Sequence, residues 1–519
     1  MRILEPLVLA CALASAHAAS LLAIFPVPGR SHWMLERRYL EQLAARGHRV
    51  TVITPYKSDS APSNWREVIV PEVKHLLGGS VNLFDFSLRS PVIGLFFLFQ
   101  YGINACDILL KEESVQQLYK SEEKFDAVIV ESFFQECFLA FAHKFKGHLI
   151  HVAPYEGTHW IGDTVGNPNP FAYVPDPFLR YTDHMDFCER LYNSLFGTYQ
   201  RIIRQVYFLP RLDATVQKHF NDATIPSVAT IEREAALLLV HTHVTVGHPR
   251  PAVPNWIAVG GMHIFPPKKL PQDLQKYLDE AKEGVIYFSL GSNLNSTDMP
   301  SEKRAAFITV FSRLKQRVLW KWEADSLPNQ PPNVMVRKWL PQSDILAHRN
   351  IKLFITHGGL LSTLEAVDRG VPLLAIPVYG DQMLNAIRAE KAGYAKKIEF
   401  PYLSTESLWA AVSEMLTNSS YRDRAQKLSR LFHDRPRPAL EEAIYWTEYV
   451  IRHNGARHLR SAAMDLTWYQ YLLLDVIAML LAVGFVALLT AVFIIRAVVR
   501  LFAGRKSNGG QKKKRGKKD

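Results

Sequence analysis

The sequence predicts an α/β fold: two βαβ units, one in each half of the chain, followed by a single membrane-spanning helix. Three observations carry this. Near the start, an apolar run at residues 21–25, a helical pattern and a second run at residues 49–54 follow one another. In the second half, residues 353–355, the turn Thr356-His357-Gly358-Gly359, a helical pattern at residues 360–368 and a run at residues 371–376 repeat that order. Short buried runs alternating with helices mark parallel sheets, in which ligands sit beyond the carboxyl ends of the strands. Lastly, residues 476–495 carry no charge and have the ~20-residue length of a membrane span.

At 519 residues, 48% hydrophobic and 21% charged, the chain has the length for two or more domains and the composition of a folded protein. The formal net charge of +12 is mostly a tail: the ten basic residues after Ile495, with Asp519, account for +9. The body is near neutral, which argues against a nucleic-acid partner. Of the four cysteines, Cys11 lies in the leader. Cys106, Cys137 and Cys188 are odd in number and widely spaced, so neither a disulfide framework nor a structural zinc site is expected.

Residues 1–18 read as a secretory signal peptide, with Arg2, an apolar run at residues 7–13 and Ala16-His17-Ala18 as a small-x-small cleavage site. The first strand, residues 21–25, is bounded by Pro26, Pro28 and Gly29. Ser31 is the expected cap of a helix from His32 or Trp33 to Arg46, with Leu35, Leu40, Leu43 and Ala44 on its apolar side and Gly47 as its stop. This order sets His32 at the tip of the first strand. No GxGxxG follows that strand, so it is not a dinucleotide fingerprint. Residues 95–99 are apolar and aromatic, too short to span a membrane: a core helix or the wall of a pocket. Residues 125–130 form a strand that ends at Glu131, an acid that a helix N-terminus would also favour. The prolines of residues 167–175 forbid regular structure, so that stretch is a loop. Amphipathic helices follow over about residues 186–219, and the proline-rich residues 247–271 read as the interdomain linker.

Residues 285–288 open the second half as a strand, and the Gly291-Ser292 turn after it can donate N–H and hydroxyl to a phosphate. Trp339 offers a flat face for a base, and Gln342 can bond the base's edge. In the turn at residues 356–359, glycines let backbone approach a ligand, and the next helix presents unpaired N–H groups and its dipole. His357 adds a side-chain donor. Glu365 can bind sugar hydroxyls, and Asp381 and Gln382 supply acceptors and donors. A diphosphate, a ribose, a base and a polyhydroxyl sugar would use all of these groups together. Residues 404–416, 423–431 and 440–454 read as helices. Asn295 and Asn418 head glycosylation sequons, Asn418 the stronger because Asn295 crowds the phosphate turn. Trp468, Tyr469 and Tyr471 precede the span as an aromatic belt would, and the basic tail after it is cytoplasmic by the positive-inside rule. Arg515 and Lys517 in that tail make a loose dilysine retrieval signal, or equally a headgroup-binding patch.

WLPQ, FITHGG, Glu365, GVP, IP and GDQ, in that order between Trp339 and Gln382, resemble the signature of the UDP-glycosyltransferases. Ser31-His32-Trp33 and residues 167–175 match the same family, and the resemblance implies that the loop at residues 167–175 lies over the acceptor side. The resemblance implies the GT-B fold, two Rossmann-like domains facing across a cleft, plus one C-terminal transmembrane helix. The organisation expected is a signal peptide (1–18), an acceptor-binding domain (19–265), a UDP-sugar-binding domain (266–440), a return helix and juxtamembrane segment (441–470), the transmembrane helix (476–495) and a basic cytoplasmic tail (496–519). It implies transfer of glucose or glucuronate from a UDP-sugar to a hydroxyl of a small lipophilic acceptor, with inversion, for detoxification or metabolite conjugation. His32 would be the catalytic base and Glu131 its partner, where vertebrate members carry aspartate. Donor binding would fall to Gly291, Ser292, Trp339, Gln342, His357, Gly358, Gly359, Glu365, Asp381 and Gln382. No DxD is placed to hold a metal, so metal-independent transfer is expected, with the UDP-sugar a co-substrate and not a cofactor. The invertebrate-like branch favours UDP-glucose, whereas vertebrate relatives use UDP-glucuronate. Leu360, Leu361 and Ser362 depart from the vertebrate pattern. The resemblance places the chain in the endoplasmic reticulum membrane as a single-pass type I protein with a lumenal body; self-association stays open. A catalytically silent, membrane-anchored binder of nucleotide sugars or lipophiles also stays open on the replacement at Glu131. A single-span receptor fits the topology but leaves the His357 region unexplained.

Overall fold

The computed structural model describes residues 18–58, 61–74, 82–88 and 90–508, so nearly all of the expected signal peptide and residues 509–519 of the basic tail lie outside the described residues. The chain divides into two compact units, residues 1–461 and 462–519. The first unit holds two parallel sheets. One comprises β1 (Ser20–Ile24), β2 (Arg49–Thr54), β3 (Trp65–Ile69), β4 (Ala127–Glu131), β5 (His148–Ala153), β6 (Leu237–Val240) and β7 (Trp256–Ala258), in the order β3-β2-β1-β4-β5-β6-β7. The other comprises β8 (Val285–Ser289), β9 (Arg317–Lys321), β10 (Val334–Arg337), β11 (Ile351–Thr356), β12 (Leu373–Ala375) and β13 (Ala395–Lys397), in the order β10-β9-β8-β11-β12-β13. Both are Rossmann-like, and together they make the GT-B architecture. In each, strand order reverses beside the opening strand, β1 between β2 and β4, β8 between β9 and β11. Such a reversal splays the adjoining loops apart and leaves a crevice at the carboxyl ends.

The helix after β1, α1 (Arg30–Ala45), begins earlier than the sequence suggests. Gly29 is its N-cap, and no side chain caps it. Ser31 therefore lies inside the first turn. Residues 95–99 belong to α2 (Pro91–Leu110), which the Ser90 hydroxyl caps by accepting from the Val92 N–H. Its Leu95, Phe99, Ala105 and Leu109 are buried, so this helix, long and apolar enough by composition to cross a membrane, is a core helix of the first unit. Cys106 near its end forms a disulfide with Cys137, where no disulfide framework is expected from the sequence. Spacing along the chain did not show it because the two meet only once α2 folds back over the turn after β4. Cys188, in α3 (Phe187–Ile203), is free and exposed.

Two loop readings also change. The loop at residues 167–175 does not line the cavity described below. Its Asn167 instead donates to the Pro251 carbonyl at 3.1 Å and accepts from the Val253 N–H at 2.9 Å, pinning the chain ahead of β7. The proline-rich stretch is not all linker either: Trp256–Ala258 pairs in parallel with β6 and closes the edge of the first sheet.

In the second half, α4 (Leu360–Arg369) follows β11 and α5 (Gln382–Lys391) follows β12. The chain then returns: α6 (Ala439–Arg452) buries Ala443, Ile444 and Val450 in one core with Leu21, Ala23 and Leu40, and Tyr39 hydrogen-bonds Thr447. The two halves also meet through Lys391 and Thr182 (2.6 Å), Phe84 and Phe400 (4.8 Å between ring centroids), and a buried cluster in which Glu156 pairs with Arg250 and Arg388. Burial pushes the Glu156 carboxyl up, but Arg250, Arg388 and His248 outweigh it and hold it at about 2.

The second unit contains α7 (Leu474–Asn508), whose residues Leu474–Ala503 are long and apolar enough to cross a membrane. The helix runs on through Arg496 and Arg500 because arginine, alanine, valine and leucine all sustain helix.

Candidate active site

The carboxyl ends of the two sheets border a cavity of about 650 Å³. On the first-sheet side, His32, in the first turn of α1 after β1, lines it. His32 Nδ1 is hydrogen-bonded to Oε1 of Glu131, the last residue of β4. With Nδ1 engaged, Nε2 is the ring nitrogen left for chemistry. The Phe133 ring stands edge-on to the imidazole, 4.8 Å between centroids. At Gly29 a Cβ would lie 3.2 Å from His32 Cδ2, so a side chain there would press on the ring. This wall carries a group of apolar side chains, Met34, Phe97, Leu98, Phe133 and Phe178, with Ser31, Ser87, Ser90 and Arg180 among them.

The second-sheet side is polar and built around His357. Gly291, after β8, has φ +81°, and a Cβ on it would stand 2.6 Å from His357 Cε1; one on Gly359 would stand 2.5 Å from Nε2. Glycine at both positions is thus what allows the imidazole to fit. Burial pushes His357 down to about 4, and the Lys321 charge adds to this, so the ring is neutral and offers a single N–H. Gly359 caps α4 without any side-chain bond, which leaves first-turn N–H groups without a side-chain acceptor at a positive dipole end. Gln342 donates to Glu365 Oε2 at 2.6 Å and to Ser362 Oγ at 2.9 Å, and accepts from the Tyr287 hydroxyl at 3.2 Å. Burial raises Glu365 to about 7, against the Gln342 hydrogen bond. Trp339 is half exposed, with the Arg30 guanidinium 5.6 Å from its ring centroid. Asp381 heads α5 and accepts from Asn385 at 2.9 Å; burial raises its pKa. Gln382 Oε1 accepts from the N–H groups of Val378 and Tyr379, fixing the loop before α5.

The cavity thus brings together His32, Gly291, Ser292, Trp339, Gln342, His357, Gly359, Glu365, Asp381 and Gln382. Glu131 stands behind His32, off the cavity lining. Gly358 turns away: its N–H points to Thr356 Oγ1 at 3.4 Å and its carbonyl accepts from Asn385 at 3.1 Å. Asn295 lines the cavity with Nδ2 bonded to Asp298, whereas Asn418 is exposed at the end of the helix Thr405–Thr417. Sequence reasoning missed Lys321, Asn293, Tyr379 and His263 in the lining, and Glu36 behind it. Lys321 closes β9, and that strand-end position was its only available signal. Among the described residues, no three His, Cys, Asp or Glu side chains are grouped as metal ligands.

Residues 95–514 match the family model described as "UDP-glucoronosyl and UDP-glucosyl transferase". A UDP-glycosyltransferase of Dactylopius coccus, UGT5, is 39% identical over 479 residues, covering 90% of this chain and 89% of that protein. The UDP-glucuronosyltransferase 2C1 of Oryctolagus cuniculus is 31% identical over 510 residues, covering 93% and 99%. Among solved structures, the calicheamicin glycosyltransferase CalG4 superposes with a TM-score of 0.57 at 19% identity, over 84% of this chain and 99% of that one. A Polygonum tinctorium UDP-glucosyltransferase does so at 0.56 and 17%, over 85% and 100%.

Proposed function

Because this chain belongs to the UDP-glucuronosyl and UDP-glucosyl transferase family and is a UDP-glycosyltransferase, we propose that it moves a hexosyl group, glucose or glucuronate, from the UDP-sugar to a hydroxyl of a small lipophilic acceptor, with inversion. The observation that carries this reading is the opposition of the His32–Glu131 pair to the His357 cradle across one cavity. His32 Nε2 takes the acceptor's hydroxyl proton while that oxygen bonds the anomeric carbon. The bond from that carbon to the diphosphate oxygen breaks, and UDP leaves with the electron pair. Glu131 holds the ring's orientation and stabilises the imidazolium. The neutral His357, the first-turn amides of α4 and the Ser292 hydroxyl receive the negative charge that develops on the diphosphate. Trp339 and Gln342 take the base, Glu365 the ribose, and Asp381 with Gln382 the sugar.

The apolar wall of Met34, Phe97, Leu98 and Phe178 supports a lipophilic acceptor on the first-sheet side. Lys321, the cation that acts on His357, is bonded to Glu323 at 2.6 Å, which supports a neutral glucose over a uronate. A binding-only protein drew its support from the replacement at Glu131, and the hydrogen bond between Glu131 and His32 works against it. We place the acceptor in residues 19–265 and the donor in residues 266–440, with the protein anchored by α7 in the endoplasmic reticulum membrane. The test is His32→Ala. Transfer from labelled UDP-sugar to a phenol should fall to background while calorimetry still detects UDP binding. Turnover surviving in the variant would remove His32 as the base.

A further inference from the structure

Behind His32 the structure holds one carboxyl more than a base and its acid require. Glu36 follows His32 by one turn of α1, so both side chains leave the helix on one face. Glu36 and Glu131 are buried, at 1% and 2% exposure. Glu131 commits Oε1 to His32, while its Oε2 has no partner, and neither has Oε1 of Glu36. The two carboxyl groups adjoin within side-chain hydrogen-bonding reach. Two ionised carboxylates in contact away from water repel strongly, so one of them keeps a proton. That proton, set between them, also satisfies an acceptor that burial would otherwise leave empty.

Building on the assignment of His32 as base, we propose that Glu36 is a positioning residue for transfer: its protonated carboxyl donates to Glu131 Oε2 and holds Glu131 ionised and turned toward His32 Nδ1. A glutamate has one more rotatable bond to fix than an aspartate, and this second hydrogen bond fixes it. The acceptor's proton goes to His32 Nε2. Glu131 stays ionised opposite the imidazolium, and the Glu36 proton does not leave. Burial raises the Glu36 pKa, and the Glu131 charge raises it further. The other titratable neighbours leave that proton in place. Tyr101, on α2, accepts from Gln135, and burial raises its pKa as it does that of Tyr56, so both are neutral. His32 acts electrostatically on Asp381 and His241, neither of which acts on Glu36, and Arg30 acts on Tyr56.

Because burial and the Glu131 charge raise its pKa, Glu36 keeps this proton below that raised value and loses it as pH rises through it, so the wild type should lose kcat on its alkaline side. The experiment is steady-state transfer by the full-length protein in membranes, using whichever of UDP-glucose and UDP-glucuronate the wild type accepts, with Glu36→Leu, Glu36→Gln and His32→Ala. Glu36→Leu should lower kcat about 10- to 100-fold with KM for the donor within about twofold. Glu36→Gln carries an amide that donates to Glu131 but cannot ionise; it should restore most of the lost kcat and flatten the alkaline fall. A wild-type kcat in Glu36→Leu overturns the proposal, and so does a Glu36→Gln enzyme no better than Glu36→Leu while both still bind UDP. Should Glu36→Leu not fold, an unchanged alkaline fall in Glu36→Gln overturns it alone. His32→Ala separates the two readings: if it stays active the base assignment fails, and if it is dead while Glu36→Leu is normal, only the role of Glu36 fails.

Discussion

At the scale of single residues, two imidazoles stand in different surroundings that suit the opposite tasks proposed for them. His32 keeps one ring nitrogen on Glu131 and one toward the cavity, whereas His357 is wedged between two glycines and held neutral at about 4. A third group, Glu365, gives a pH dependence that can be worked out. Burial raises its carboxyl to about 7, so near neutral pH the free protein is a mixture of the protonated and ionised forms. Two ribose hydroxyls donate best to an ionised carboxylate. Below the raised value the proton must leave before both hydroxyls can bond, so UDP affinity should rise with pH, by up to about tenfold per unit, and level off above neutrality. Calorimetric titration of UDP over roughly pH 5.5 to 8.5 checks this, since that range brackets the shifted carboxyl. Glu365→Gln should flatten the dependence; a wild-type affinity independent of pH would remove Glu365 from the donor contacts. His32, His357 and Glu365 were legible because each stands at a fixed place in an ordered motif. Glu36 was not, since it sits beside Leu35 on a helix face that reads as apolar, and the carboxylate that gives it meaning comes from β4.

Elements were legible where apolar runs were clean. The β1–α1–β2 unit and the β11–α4–β12 unit stand out because short valine-, isoleucine- and leucine-rich runs end abruptly at glycine or proline. β9 escaped, because Arg317 and Lys321 bracket only three apolar residues, and parallel pairing with β8 and β10 alone makes it a strand. β7 escaped as three residues in a proline-rich stretch, held by pairing with β6. α2 was seen only at its centre because Gly94, Gln100 and Gly102 break the apolar pattern. Gly102 is there for contact: a Cβ on it would meet the Phe134 carbonyl oxygen at 2.0 Å. That close approach brings α2 onto the turn carrying Phe133 and Phe134, beside His32, and the Cys106–Cys137 disulfide locks it. The bond spans a separation of 31 residues, for which loop-closure entropy gives about 3–4 kcal/mol. Replacing both cysteines with alanine should lower the thermal unfolding midpoint of the body and make it indifferent to added reductant. A midpoint unchanged by the double replacement would mean that packing of α2 alone holds the wall.

For the molecule as a whole, the two switch points explain how one architecture can hold both halves of the proposed reaction. Each sheet reverses its strand order beside its first strand and opens a crevice at that edge; His32 stands at one and His357 at the other. The paired Glu156, Arg250 and Arg388 tie the two halves behind the cavity. Which side of the membrane this body faces follows from chemistry outside the cavity. On the proposed topology, the ten basic residues after Ile495 would hold the tail in the cytoplasm by the positive-inside rule and leave the body in an oxidising lumen. The Cys106–Cys137 bond fits that compartment. Glycosylation reads the orientation directly. Asn418 is exposed at a helix end in an Asn-Ser-Ser sequon, and its side-chain oxygen is bonded only locally, to the Ser420 N–H. Asn295 has its amide on Asp298 and borders the phosphate turn, with Ser296 buried beside it. Expressed in cells and recovered in sealed microsomes, the chain should carry one glycan. Asn418→Gln should abolish the mobility shift that an endoglycosidase produces, and Asn295→Gln should leave it intact. Protease added outside should trim the tail and spare the body. A body digested from outside, with no glycan at Asn418, would put catalysis on the cytoplasmic face and overturn the lumenal assignment, while leaving the geometry around His32 and His357 as it is.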